Sequence, residues 1–81
     1  MATKRLELIE KLSELEHQRW TEWSTNISSN ESLSPEILER WKSCWKPYKD
    51  LTEEQKEQDR IWARKVLKII ENEGSRNFFY V

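Results

Sequence analysis

Glycine occurs once and proline twice in these 81 residues, and runs of β-branched residues are sparse. The chain therefore has few of the residues that punctuate sheets, hairpins and long loops. Its fold class is accordingly read as all-α. Cysteine occurs once, at Cys44, and histidine once, at His17. A lone cysteine excludes an internal disulfide, and one histidine with one cysteine cannot supply the four ligands of a structural zinc site. No metal and no cofactor is expected. No apolar run approaches the ~18 residues that span a bilayer, so a membrane partner is excluded. Met1-Ala2-Thr3-Lys4-Arg5 leads into an amphipathic segment rather than a signal-peptide core, and a cytoplasmic location is expected. An excess of one charge is also missing, with 14 basic residues against 15 acidic. That balance argues against whole-protein binding to nucleic acid or anionic lipid.

Aliphatic residues are scarce too. Leucine, isoleucine, valine and phenylalanine number 18, about 22% of the chain, just above the ~20% region where disorder sets in. Disorder also requires a high net charge, and here the net is −1. What is present instead is tryptophan, five times: Trp20, Trp23, Trp41, Trp45 and Trp62. Each ring can bury roughly 150–250 Å². Trp62 and Trp23 are read as core, while Trp41 and Trp45 stay open between core and site. A chain this short buries only ~60% of its unfolded surface, which makes a homodimer or higher homo-oligomer an expectation from size alone.

A single domain over residues 1–81 is expected, with two long helices, a short middle one and an apolar tail. Ile9, Leu12, Leu15, Trp20 and Trp23 follow Leu6 at helical spacing and give a first helix over 4–25, with Thr3 as cap. The polar run over 26–34 reads as a loop. Ser34-Pro35-Glu36 combines a capping serine, a proline pre-set for the first helical position and an acid at the positive helix end. The second helix then covers 35–45, ending ahead of Pro47. Thr52-Glu53-Glu54-Gln55 is a capping box with Leu51 as staple residue, opening a third helix over 53–73. Ile61, Trp62, Val66, Ile69 and Ile70 line one side of it, and Gly74 is placed as a left-handed cap. Phe78, Phe79, Tyr80 and Val81 make 75–81 an apolar tail, docked on its own core or on a partner subunit.

Catalytic motifs are missing: there is no glycine-rich phosphate loop, histidine pair or nucleophile elbow. The chain is read as a non-enzyme. Two constellations remain. Arg40-Trp41-Lys42-Ser43-Cys44-Trp45-Lys46-Pro47-Tyr48-Lys49 interleaves four cations with three rings and holds no acid, the composition that stacks bases at ~1–3 kcal/mol each. It equally describes an amphipathic helix with buried tryptophans. Lys56, Arg60, Arg64 and Lys68 stand at steps of four, where like charges repel. An opposing partner is needed, either the acidic ridge Glu7, Glu10 and Glu14 or a bound anion.

Pro47-Tyr48-Lys49-Asp50-Leu51-Thr52, followed by Lys56, Asp59-Arg60, Ala63, Leu67-Lys68 and Gly74, resembles the C-terminal half of the RyR domain, the repeat named for ryanodine receptors and also found as short bacterial and phage proteins. His17, three residues before Trp20, is similar to that family's first-helix signature. The family's glycine-tryptophan and tyrosine-glycine turn after the first helix is absent, and Gln55 stands where glutamate is usual. The resemblance implies a ligand-binding module in which an adenine nucleotide stacks on the signature tryptophan between paired repeats. It nominates Trp20 with His17 as platform and places Asp59 and Arg60 nearby. For a phage-encoded member it implies sequestration of a nucleotide defence signal. The ligand-binding set expected is His17, Trp20, Trp41, Trp45, Lys46, Tyr48, Asp59, Arg60 and Arg64. A nucleotide-type small molecule is the expected partner. The competing reading is a protein-interaction adaptor using the Trp41–Tyr48 surface and the tail.

Overall fold

The computed structural model describes residues 2–74. It holds α1 (Ala2–Asn30), α2 (Pro35–Lys42), a single 3-10 turn (Tyr48–Asp50), α3 (Glu53–Ile69) and a closing π turn (Ile70–Gly74). No strand occurs among the described residues, and the fold is all-α. No described helix is long and apolar enough to cross a membrane. The 75–81 tail lies outside the described residues.

Helices α1 and α3 run antiparallel as a hairpin. Two side-chain contacts mark the register at its ends, the Arg5 to Glu71 ion pair at 2.9 Å and His17 Nδ1 beside Asp59 Oδ2 at 3.5 Å. Between them Ile9 and Leu67, then Ser13 and Ala63, fill the seam, so it repeats every four residues on both helices. Ile9, Ala63 and Leu67 form the buried cluster, with Leu12 packed against it. Ser13 is completely buried and returns its hydroxyl to the Ile9 carbonyl at 2.6 Å. Facing small residues let the two backbones approach closely.

This seam corrects the expected core. Trp62 is 55% exposed and Trp23 50% exposed, and Ile61, Val66, Ile69 and Ile70 are exposed with them. Three residues beyond a seam position is a rotation of roughly 60° around the helix. Trp62 stands at that offset from Asp59, and so flanks the seam instead of entering it.

Local chemistry sets the helix ends. Ser34 accepts from the Ile37 N–H at 3.2 Å, with Pro35 in the first turn. The Thr52–Gln55 capping box is formed in both directions, at 3.0 and 3.1 Å. Leu51, just outside it, is buried. Helix α1 starts at Ala2, which places Thr3 inside it, and runs to Asn30 instead of ending at 25. The polar residues expected to form a loop donate back to their own helix: Ser28 to the Thr25 carbonyl at 2.9 Å, Ser29 to the same carbonyl at 3.0 Å and Asn30 to Asn26 at 2.9 Å. Helix α2 ends at Lys42, earlier than expected, as hydrogen bonds tighten to Cys44 N–H on Trp41 and Trp45 N–H on Lys42. The α-helical part of α3 stops at Ile69 and passes into the π turn Ile70–Gly74, which takes in the glycine expected as a left-handed cap.

Candidate functional site

His17 occupies the last seam position of α1 and is buried. Its Nε2 lies 2.7 Å from the Lys46 carbonyl. A carbonyl only accepts, so Nε2 carries the proton and donates. That bond ties the segment between α2 and α3 to α1. Nδ1 faces Asp59 Oδ2 at 3.5 Å, a contact that is attractive when a proton lies between them.

Rings gather on both sides of the imidazole. Trp20, one turn further along α1, stacks on His17 with centroids 6.0 Å apart and planes 22° apart. Trp41 of α2 meets Trp20 edge-on at 5.9 Å and 75°, and Trp23 packs on Trp41 at 5.7 Å. Tyr48 lies tilted against the other side of His17 at 6.4 Å.

Two separate hollows result. A cavity of about 240 Å³ is walled by His17, Trp20 and Trp41, with Leu51, Cys44, Gln55, Gln58, Asp59 and Arg40 completing it. An open groove of about 650 Å³ runs past Trp45, Lys46, Pro47 and Tyr48, with Glu14, Thr21 and Lys49 along it. His17 borders both. Trp45 is fixed by its indole N–H, which donates to the fully buried Ser24 hydroxyl at 2.9 Å. Thr21 Oγ1 is buried there without a hydrogen-bond partner among the described residues.

Arg60 and Arg64 line a third hollow with Glu10 and Glu57. Arg60 donates twice to Glu10, at 2.9 Å each, and once to Glu53 at 2.9 Å. Arg64 donates to Glu57 at 2.7 and 3.2 Å. Three of the four ridge cations, Lys56, Arg60 and Arg64, are therefore answered inside the fold. Among the described ion pairs only Glu10 of the expected acidic ridge takes part, and α3 supplies the other carboxylates itself.

These contacts set the titration of the groups. Hydrogen bonding to Arg60, then to Tyr48, holds the Glu10 carboxyl below its ordinary value against opposing burial. Glu10 and Glu53 raise Arg60 beyond the usual guanidinium value. Burial raises Tyr48, reinforced by its hydroxyl donating to Glu10 at 2.9 Å. Burial also raises Asp59, while the nearby His17 opposes the shift. Asp59 accepts no hydrogen bond from the described residues, which leaves its carboxylate with free acceptor capacity beside the aromatic cavity.

The expected residues thus fall into three places. His17, Trp20, Trp41 and Asp59 share the aromatic cavity; Trp45, Lys46 and Tyr48 line the groove; Arg60 and Arg64 sit apart on carboxylates. Arg40, Gln55, Gln58 and Cys44 were not in the expected set. Gln55 and Asp59 share one α3 face at a spacing of four, with Gln58 beside them, and that spacing was the available signal. Comparison with family models, curated proteins and solved structures finds no match.

Proposed function

We propose that the chain is a non-enzymatic binding module for a nucleotide or nucleotide-derived signal, with the base seated in the cavity against the Trp20 and Trp41 rings. The observation that carries this reading is the pairing of two nearly perpendicular indoles with the partly buried, unfilled acceptor Asp59. A base inserted there gains stacking on one ring and an edge contact on the other. Asp59 accepts from an exocyclic amine, and the Gln55 and Gln58 amides offer both donors and acceptors. At about 240 Å³ the cavity is smaller than the ~300–1,000 Å³ of pockets for drug-sized ligands. It suits one heteroaromatic ring system, with sugar and phosphate outside. Arg40, which lines the cavity, meets the phosphate through charge-assisted hydrogen bonds.

The likeness of Pro47–Thr52, Asp59-Arg60 and the His17–Trp20 pair to the RyR domain supports the same ligand class, in a homo-oligomer located in the cytoplasm. Binding of this kind sequesters a signal without any catalytic group. A thermal-shift series against adenine and guanine nucleotides, linear and cyclic, tests it. A ligand at 100 times its Kd stabilises by about 2.7 kcal/mol. No shift with any of them overturns the reading.

The adaptor reading keeps one observation in its favour: Trp23, half exposed, lies 5.7 Å from Trp41 and forms the kind of aromatic surface where interface energy concentrates.

A further inference from the structure

The hairpin has two unlike sides. Glu10 and Arg60, each three residues before a seam residue, meet on the first, together with Tyr48, Glu53 and Arg64. Positions three residues after the seam rotate the other way, and there the side chains are mostly apolar: Leu8 and Leu12 on α1 ahead of Glu16, and Trp62, Val66 and Ile70 on α3, with Leu15 and Ile69 at the edges. Ile69 is 64% exposed, Leu15 61% and Val66 44%. Lys65 lies over the Trp62 ring at 4.5 Å on the rim.

We propose that this face docks a second copy of the chain, twofold related, so that two hairpins close into a four-helix bundle. The proposal rests on the self-association in the reading above and is independent of the ligand. Area carries it. Taking about 200 Å² for a large side chain, the exposed fractions of Leu8, Leu15, Trp62, Val66, Ile69 and Ile70 amount to roughly 600 Å² of apolar surface per copy. That matches the largest patch of a typical monomer, about 300–600 Å². With a polar rim it reaches the ~800 Å² per partner of a standard stable interface.

Layering points the same way. A domain needs two packed layers around one core, and α2 reaches only the Trp20–Trp23 end of the hairpin. Among the described residues the remainder is a single layer, and the radius of gyration is 15.6 Å against roughly 12 Å for a compact chain of this length. The buried hydrophobic core among the described residues holds five, Ile9, Tyr48, Leu51, Ala63 and Leu67. A copy of the same face supplies the missing layer in an isologous contact.

Light scattering and thermal melts over a wide concentration range test the proposal. The parent is expected at twice its 9.9 kDa mass, with a Tm that rises with concentration. Val66→Lys halves the mass, while Lys68→Ala, on the other side of the hairpin, leaves it unchanged. A parent that stays monomeric with a concentration-independent Tm overturns the proposal and assigns the face to another protein or to the tail. A dimer lost in Lys68→Ala and kept in Val66→Lys overturns it as well. If Val66→Lys unfolds, the concentration dependence of the parent Tm alone decides. Trp41→Ala is expected to stay dimeric, which separates this outcome from the ligand reading.

Discussion

The His17 imidazole donates to the Lys46 backbone carbonyl at 2.7 Å across 29 residues, and this bond holds the α2–α3 connection against α1. The same ring separates the aromatic cavity from the groove and stacks on Trp20. His17→Ala removes a buried donor and a ring contact together. A loss of about 2–3 kcal/mol is expected, measured as a lowered denaturation midpoint.

Glu10 joins three elements, accepting from Arg60 and from Tyr48. Its folded pKa is lowered, so its stabilisation is present above the ordinary glutamate value of 4.5 and is lost as pH falls through the folded value. Glu10→Gln is expected to cost about 1 kcal/mol at neutral pH, a figure reduced for solvent screening. The difference from the parent should vanish in acid. Urea melts at several pH values check both.

Asp59 has the opposite sign. Burial raises its folded pKa, so its contribution is complete below the unfolded value of 3.8 and is lost as pH rises through the folded value. Asp59→Asn is therefore expected to raise stability by a few tenths of a kcal/mol at neutral pH while weakening ligand binding. Thermal melts at neutral and acid pH, with and without nucleotide, separate the two effects.

Ala63 is 1% exposed, in the seam facing Ser13. Ala63→Leu forces the helices apart and should cost about 1–3 kcal/mol, whereas Ile61→Leu, at an exposed position, costs little. Denaturation midpoints of the pair report how tightly the seam is closed.

The sequence revealed what depends on neighbours along the chain. Ser34 with Pro35 and the Thr52–Gln55 box were readable because capping is satisfied within a few residues. The end of α1 was not, since Ser28, Ser29 and Asn30 have turn propensity and here spend their side chains on helix carbonyls. The seam was hidden for another reason. Ser13, His17 and Ala63 carry no hydrophobic signal, so periodicity pointed to the larger residues beside them. For the site, the nearness of Asp59 to His17 and Trp20 was expected from the resemblance alone. The diversion of Arg60 and Arg64 to Glu10, Glu53 and Glu57 depends on how α1 and α3 are registered, which local pattern does not reveal.

Calorimetric titration of the parent and Trp41→Ala, side by side, with the nucleotide that gives the largest thermal shift tests the central claim most directly. Saturable binding by the parent and a loss of at least tenfold in Trp41→Ala, about 1.4 kcal/mol, is the predicted result. Equal affinity in the two proteins would contradict it.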